Sequence, residues 1–460
     1  MLALALLVAA AASPTDAYLD QTRARWEALS KQLWDLAETG LHEERSAAAI
    51  EELLQKEGFK VERNVAGMPT AFVATAGSGA PVVAIMAEYD ALPGLSQKPG
   101  EAKKDPEKEN APGHGCGHNL LGTAAVAAGV AANRARVEQK LPGTIQIFGT
   151  PAEELLLGKV FMLKAGAFDK TDVVLSWHPE SANQVVTRPR LALTATEVEF
   201  FGKTAHAAAS PWLGRSALDA MELFDLAMAL MREHIQPTAR IHRVIKDGGK
   251  VPNVIPDYAK IQTWLRDQTG AAVEELLARM RKAADGAALA TETRAKVTLL
   301  ASTRDPLNNQ VLGRVMQKEM ERIGPPRFDE QDQTFAKALQ KEVGVEQSGL
   351  ATDVVPYGPN HGGTASSDLG EVSAAVPLAE LNIVARPIGT AAHHWGQTAC
   401  AAHPLGQKGM LVAAKILGAS MLDLVSNPKE VAAAKEEFQK TTKGKPYQSP
   451  LAQDAKPMVY

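Results

Sequence analysis

Cysteine is nearly absent from this chain: 460 residues hold two, Cys116 and Cys400. A fold stapled by several disulfides is therefore excluded, and at most one bridge can form. That bridge competes with another use of the same atoms, because a thiolate that ligates a metal cannot also be paired. If Cys116 is a ligand, Cys400 is a free buried thiol. An excess of one charge is also missing, with 49 Lys and Arg against 53 Asp and Glu and a net charge of −4. No sustained basic block occurs, which removes the electrostatic case for nucleic acid. No uninterrupted apolar run reaches the roughly 18 residues that a bilayer-spanning helix needs, so no membrane span is expected. No internal repeat of fixed period is present.

The length allows two or three domains with their own cores. The N-terminus departs from the otherwise ordinary composition, since residues 1–12 are almost wholly Leu, Ala and Val. Ser13, Pro14 and the small residue Ala17 follow, the pattern of a secretory signal peptide cut after Ala12 or Ala17, although the usual positive start is lacking. Residues 1–17 are taken as that leader, and export to a periplasm or beyond is expected.

Residues 113–119 read Gly-His-Gly-Cys-Gly-His-Asn. Cys116 and His118 are two apart and cannot share a helix face, so they converge on one ion only where the backbone turns sharply. The three glycines permit such a turn. The Ala- and Val-rich stretch 120–139 that follows has the character of a buried helix. The plain alternative is a glycine loop with a buried Cys and an incidental His.

Along the chain, helical spacing marks 18–39 and 42–57. Strands are expected at 59–63, 70–75, 81–86, 144–150 and 172–177, with the third buried on both faces. Glu88 and Asp90 follow the third strand, Glu153 and Glu154 the fourth, and His178 the fifth. Strands that alternate with helices and carry such groups at their C-terminal ends describe an α/β sheet with its site at a switch point. Beyond residue 187 the order becomes strand-helix-strand, strand-helix-strand over 191–302, the split βαβ arrangement. The chemistry-bearing domain is thus expected as 18–186 plus 305–460, interrupted by a smaller ferredoxin-like domain over 187–304. Residues 426–460 read as a polar, Lys-rich surface tail.

Taken singly, each candidate group has a structural explanation: a solvated glutamate pair, a strand-end histidine, a surface pair His393-His394 beside Trp395. Taken together, Cys116, His118, the glutamate pair, His178 and His393 or His394 are the donor types that transition metals use. Adjacent glutamates suit a division of labour, one binding metal and the other free as a general base. Spacing does not fix which is which.

These residues carry a resemblance to the co-catalytic metallopeptidases of the aminoacylase and carboxypeptidase family. The closest likeness is to the amidohydrolase branch with p-aminobenzoyl-glutamate hydrolase and the auxin-conjugate hydrolases. The matching stretches are 113–122 (G-H-G-C-G-H-N-L-L-G), 149–154 (G-T-P-A-E-E), 177–179 (W-H-P), 201–208 (F-G-K-T-A-H-A-A), 252–256 (P-N-V-I-P), 365–373 and 389–395. The likeness spans nearly the whole chain after residue 18. It implies an α/β/α catalytic domain with a lid that also carries a dimer contact. Two divalent ions, zinc or manganese, would lie roughly 3.5–4 Å apart with a bridging water as nucleophile. Cys116 would bridge them, and His118, Glu154, His178 and His393 would complete the ligands. Glu153 would be the general acid/base. His206 would stabilise the oxyanion, often in a partner chain's site, and Asn253 would contact substrate. Where much of the family has His-x-Asp this chain has Glu88-Tyr89-Asp90, so Glu88 is not carried over as a ligand, while Asp90 would orient one.

The resemblance implies hydrolysis of an N-acyl or aminoaroyl amino acid or a small dipeptide, by a homodimer or with a related partner chain. The competing readings are a broad-specificity dipeptidase or aminoacylase, a non-catalytic or partner-dependent subunit, and a cysteine hydrolase built on Cys116.

Overall fold

The computed structural model describes residues 13–187, 190–359 and 365–458. Most of the expected leader, residues 1–12, lies outside them. Helices α1 (Pro14–Gln21) and α2 (Arg23–Leu36) divide what periodicity marks as one helix. The break falls at Thr22, whose hydroxyl donates to the Tyr18 carbonyl at 2.7 Å and competes with the helical ladder. Helix α3 (Glu44–Lys56) follows, with Ile50 and Leu54 fully buried on its inner face.

The first sheet begins with β1 (Lys60–Arg63), β2 (Phe72–Ser78) and β3 (Val82–Ala87). Next come α4 (His118–Glu138), β4 (Gly143–Gly149), α5 (Gly158–Lys164), β5 (Val173–Glu180) and β6 (Gln184–Val185). The second sheet is built from β7 (Ala192–Phe201), α6 (Ala217–Met231), β8 (Arg240–Asp247), β9 (Tyr258–Asp267), α7 (Gly270–Ala290) and β10 (Arg294–Thr303). The chain then returns through α8 (Gln310–Ile323), α9 (Glu330–Glu342), α10 (Leu369–Ala375), β11 (Leu378–Val384), α11 (Trp395–Ala402), α12 (Pro404–Ser426) and α13 (Pro428–Thr442).

The seven strands of the first sheet are ordered β1-β2-β4-β3-β5-β11-β6. Its centre, β4-β3-β5-β11, is parallel, and β1, β2 and β6 join antiparallel at the margins. Because side chains alternate across a strand, Ile85 and Leu175 join a core with α4 and α12. Ala84, Met86 and Val174 join another with α5 and α10. Helix α4 is apolar all round, as a helix enclosed by protein should be. The result is an α/β/α sandwich whose parallel strands all deliver their C-terminal ends to one edge.

The second sheet is antiparallel in the order β10-β7-β9-β8, the split βαβ topology expected of the interruption. Its helices α6 and α7 cover one face, closing a separate core around Phe200, Phe224, Ile261 and Met280.

Helix α12 is 23 residues long and apolar enough to cross a bilayer by length and composition, yet it packs in the core, with Ile416, Leu417 and Met421 fully buried. One expectation needs correction. The residues after 426 are not simply a surface tail: they begin with α13, which buries Val431 and Ala434. Only two small apolar residues face inward there, too few to stand out from the lysines.

Candidate active site

The glycine turn forms where the chain must pass between fixed obstacles. A Cβ on Gly113 would lie 2.1 Å from the Leu95 carbonyl oxygen, and Gly117 sits at φ +81° as the residue before α4. Only glycine meets both demands without strain. The turn sets Cys116 and His118 facing the C-terminal ends of β3, β4 and β5.

Three elements complete the cluster. Glu153 and Glu154 open a short 3-10 turn after β4, entered through Ala152 at φ +54°. That left-handed residue is held by Glu43, whose carboxylate accepts the Ala152 N–H at 2.8 Å. His178 lies near the end of β5. His393, itself at φ +55°, donates its backbone N–H to the Gly115 carbonyl at 2.7 Å, tying its loop to the glycine turn. Non-glycine backbone held in this sparsely populated region at two points of one site, Ala152 and His393, is typical of functional geometry.

The side chains converge in two groups. Donor atoms of Cys116, His118 and His178 lie within 4.8 Å of one another, as do those of Cys116, Glu154 and His393. Cys116 belongs to both. Its sulfur is 3.3 Å from His178 Nε2, and His393 Nε2 is 3.2 Å from Glu154 Oε2. His394, the alternative last ligand, turns away and caps α11 by accepting the Gly396 N–H.

Ring orientation follows from partners that can only accept. His118 Nδ1–H donates to Asp90 Oδ1 at 2.8 Å, and His178 Nδ1–H donates to the Pro179 carbonyl at 3.0 Å. In its neutral form each ring would therefore present the lone pair of Nε2 to the cluster. Glu154 Oε1 is buried without a hydrogen-bond partner, and His118 Nε2, also buried and without a hydrogen bond, lies 3.3 Å from Glu88 Oε2. Such donors, beside a thiol and two more imidazoles, fit the binding of a divalent metal. The electrostatics agree. Burial opposes the charged form of His118, but Cys116 and Asp90 outweigh it and hold its pKa well above the usual value. Contacts with Cys116 and Glu154 raise His393 to about 11. The same negative field favours a cation.

A third group, Glu88, His118 and Glu153, also lies close together. Its demand for positive charge is already met: fully buried Lys159 reaches Glu88 Oε1 at 2.8 Å and also pairs with Asp368. Burial works against the Lys159 charge, and Asp368 and Glu88 outweigh it, so its pKa is raised.

The cluster floors a cavity of about 440 Å³ that Glu153, Arg190, Trp264, Arg266 and Asn382 help to line, a size suited to a small ligand. Arg266, on β9, donates to Ser366 Oγ at 3.0 Å, and its Nε has no partner. His206 and Asn253 do not reach this cavity. They lie together and exposed on the second sheet's domain, where the Ala207 N–H bonds the Asn253 carbonyl at 3.0 Å. A larger, open hollow of about 740 Å³ lies beside them, and among the described residues no comparable cluster of metal donors lines it.

Arg266 and Lys159 escaped the reading of the sequence. A lone Arg or Lys in a strand or helix usually marks a solvated face. The one available signal was Lys159 standing within the apolar run of α5, where a charge must be paired to be tolerated.

Known proteins resemble the chain over the stretch that holds most of these residues. A family model described as peptidase family M20/M25/M40 matches residues 84–417. One subunit of the p-aminobenzoyl-glutamate hydrolase of Escherichia coli is 34% identical, over 96% of this chain and 98% of that protein. The Xaa-Arg dipeptidase of Mus musculus is 32% identical over 91% of this chain and 90% of its own length. Among solved structures, a dinuclear metal-binding peptidase of family M20 from Bacillus subtilis shares the fold with a TM-score of 0.58 at 18% identity, covering 88% of this chain and 99% of that one.

Proposed function

The chain belongs to peptidase family M20/M25/M40 and is a metal-dependent amide hydrolase, and from that premise we propose that it releases an amino acid from an N-acyl or aminoaroyl conjugate of the aminobenzoyl-glutamate kind. The observation that carries this reading is the sharing of Cys116 by two donor triads on the floor of one cavity. Cys116, His118 and His178 would hold one ion, and Cys116, Glu154 and His393 the other. Bound zinc or manganese would polarise the amide carbonyl and increase the acidity of the attacking water.

The protein's own groups do the rest. Glu153 lines the cavity without belonging to either triad, with Oε2 4.0 Å from His118 Nε2. It takes the proton of the attacking water and returns it to the leaving amine nitrogen. Arg266, with its unpartnered Nε, receives a carboxylate of the substrate. Asp90 holds His118 in the ligating tautomer.

His206 and Asn253, exposed and outside their own chain's cavity, act in the site of a second chain. Self-association through the lid, residues 187–304, is supported by its unpaired edge strand β8 with Val244 and Ile245 exposed, and by Leu223, Leu226 and Leu230 exposed on α6. The E. coli relative is named as one subunit of its hydrolase, and another subunit of that hydrolase is 28% identical over 52% of this chain and 57% of its own length, so a related chain is the competing partner. Export requires removal of the leader. Thr15 and Asp16 are buried and Asp16 pairs with Arg322 at 2.6 Å, which favours cleavage after Ala12 over cleavage after Ala17.

The decisive assay offers purified chain aminobenzoyl-glutamate, and dipeptides ending in arginine, before and after chelation. Metal-dependent release of glutamate supports the proposal, and preference for the dipeptides moves the assignment to a dipeptidase. Activity indifferent to chelator would instead favour a thiol nucleophile, for which the Cys116–His178 contact is the structural support.

A further inference from the structure

The two ligand triads are carried by segments far apart in sequence, and a buried arginine outside both of them ties these segments together. Arg386 lies two residues beyond β11, and 7% of its surface is exposed. Its guanidinium makes three side-chain hydrogen bonds. Nη1 donates to the Pro179 carbonyl at 3.1 Å, Nε donates to the Thr390 carbonyl at 3.3 Å, and Nη2 pairs with Glu180 Oε2.

Each acceptor has a bearing on a ligand. The Pro179 oxygen is the atom that accepts the Nδ1–H of His178 at 3.0 Å and so fixes that ring. Thr390 lies three residues before His393, in the loop that turns back to the glycine turn through the His393-to-Gly115 bond. Glu180 ends β5 and pairs in register with Val384 of β11. One planar group thus spans the end of β5, which bears His178, and the loop that bears His393.

We propose that Arg386 is a positioning residue that sets the separation of the two ion sites about Cys116. This inference rests on the two-ion reading given above and adds to it the means by which the spacing is held. The loop side of the clamp matters more. His178 sits in a strand hydrogen-bonded to its neighbours, whereas the His393 side chain is 56% exposed and its residue is held at positive φ. Without Arg386 the loop keeps the bonds of Ile388 to Gly349 and Gln340 near its start and the bond of His393 to Gly115 near its tip, but Thr390 between them is left with only its local bonds to Pro387. The Cys116, Glu154, His393 site should therefore weaken first, with the Cys116, His118, His178 site less affected. A lysine in this place retains the charge but not the planar fork, so it cannot hold both carbonyls in the same geometry.

The test is manganese titration of full-length protein, following bound metal per chain and the electron paramagnetic resonance spectrum. Wild-type protein should bind two ions per chain with an exchange-coupled spectrum. Arg386→Met should bind the second ion at least ten-fold more weakly and show an uncoupled, single-ion spectrum. Arg386→Lys should fall between them, and it carries the test if the Met variant does not fold, as judged by circular dichroism of the metal-free proteins. A folded variant with two ions and the wild-type coupled spectrum would overturn the role of Arg386. Wild-type protein that takes up a single ion, or two uncoupled ones, would overturn the two-ion reading itself, and this inference with it.

Discussion

Asp90 and His118 form a fully buried pair in which the carboxylate Oδ1 accepts the ring Nδ1–H at 2.8 Å. The other oxygen of Asp90 accepts the backbone N–H of Glu154 at 2.9 Å. One side chain thereby orients a ligand from each triad. Burial alone would raise the Asp90 pKa, but His118 outweighs it, and the group is held below the usual carboxylate value. Asp90→Asn keeps the shape and loses the charge. Metal affinity should fall by about 10- to 100-fold, measured by competition with a chromophoric chelator, and unchanged affinity would remove Asp90 from the site.

Glu153→Ala should separate chemistry from binding. Glu153 belongs to neither donor triad that shares Cys116, so bound metal measured by mass spectrometry should stay at the wild-type level. Turnover should fall by about 10²- to 10⁴-fold, the usual contribution of a positioned acid/base. Loss of metal together with activity would make Glu153 a ligand instead.

The two thiols should differ in reactivity. Cys400 is fully buried, and burial pushes its pKa up to about 12, so it remains a protonated thiol at pH 8. Iodoacetamide should modify at most Cys116 in folded, metal-free protein, and metal loading should protect it. Denatured protein should take up two labels. Modification of Cys400 in the native protein would contradict the packing around α11.

Glu43 should leave a mark on the pH dependence of stability. Desolvation first, then the nearby Asp90 charge, raises its pKa from 4.5 to about 8. The folded chain thus keeps a proton that the unfolded chain has released, and the stability from this group erodes as pH rises from about 4.5 through about 8. Glu43→Gln keeps an oxygen for the Ala152 N–H and cannot ionise. The melting temperature of the metal-free variant should therefore gain on that of wild type between pH 5 and pH 8.5, and a constant difference would place the Glu43 proton elsewhere.

Much of this site was legible because metal donors are rare residue types set at places the sequence marks well. Cys116 and His118 sit on a glycine turn, and Glu153, Glu154 and His178 follow short apolar runs that read as strands. The second sheet's strand and helix order was likewise written in its periodicity. What stayed hidden depends on contacts between distant segments. Arg386 acts on carbonyls 4 and 207 residues away, and Lys159 is paired with a carboxylate 209 residues away. No local pattern encodes such pairings. That His393 rather than His394 meets Glu154 was also beyond spacing, since it depends on a left-handed residue that brings one ring to the carboxylate and leaves the next to cap a helix.

The most direct measurement of the central claim is anomalous diffraction from crystals of the zinc- or manganese-loaded protein. Two peaks flanking the Cys116 sulfur, roughly 3.5–4 Å apart, one beside His118 and His178 and the other beside Glu154 and His393, are the predicted result. A single peak, or peaks away from Cys116, would contradict the account.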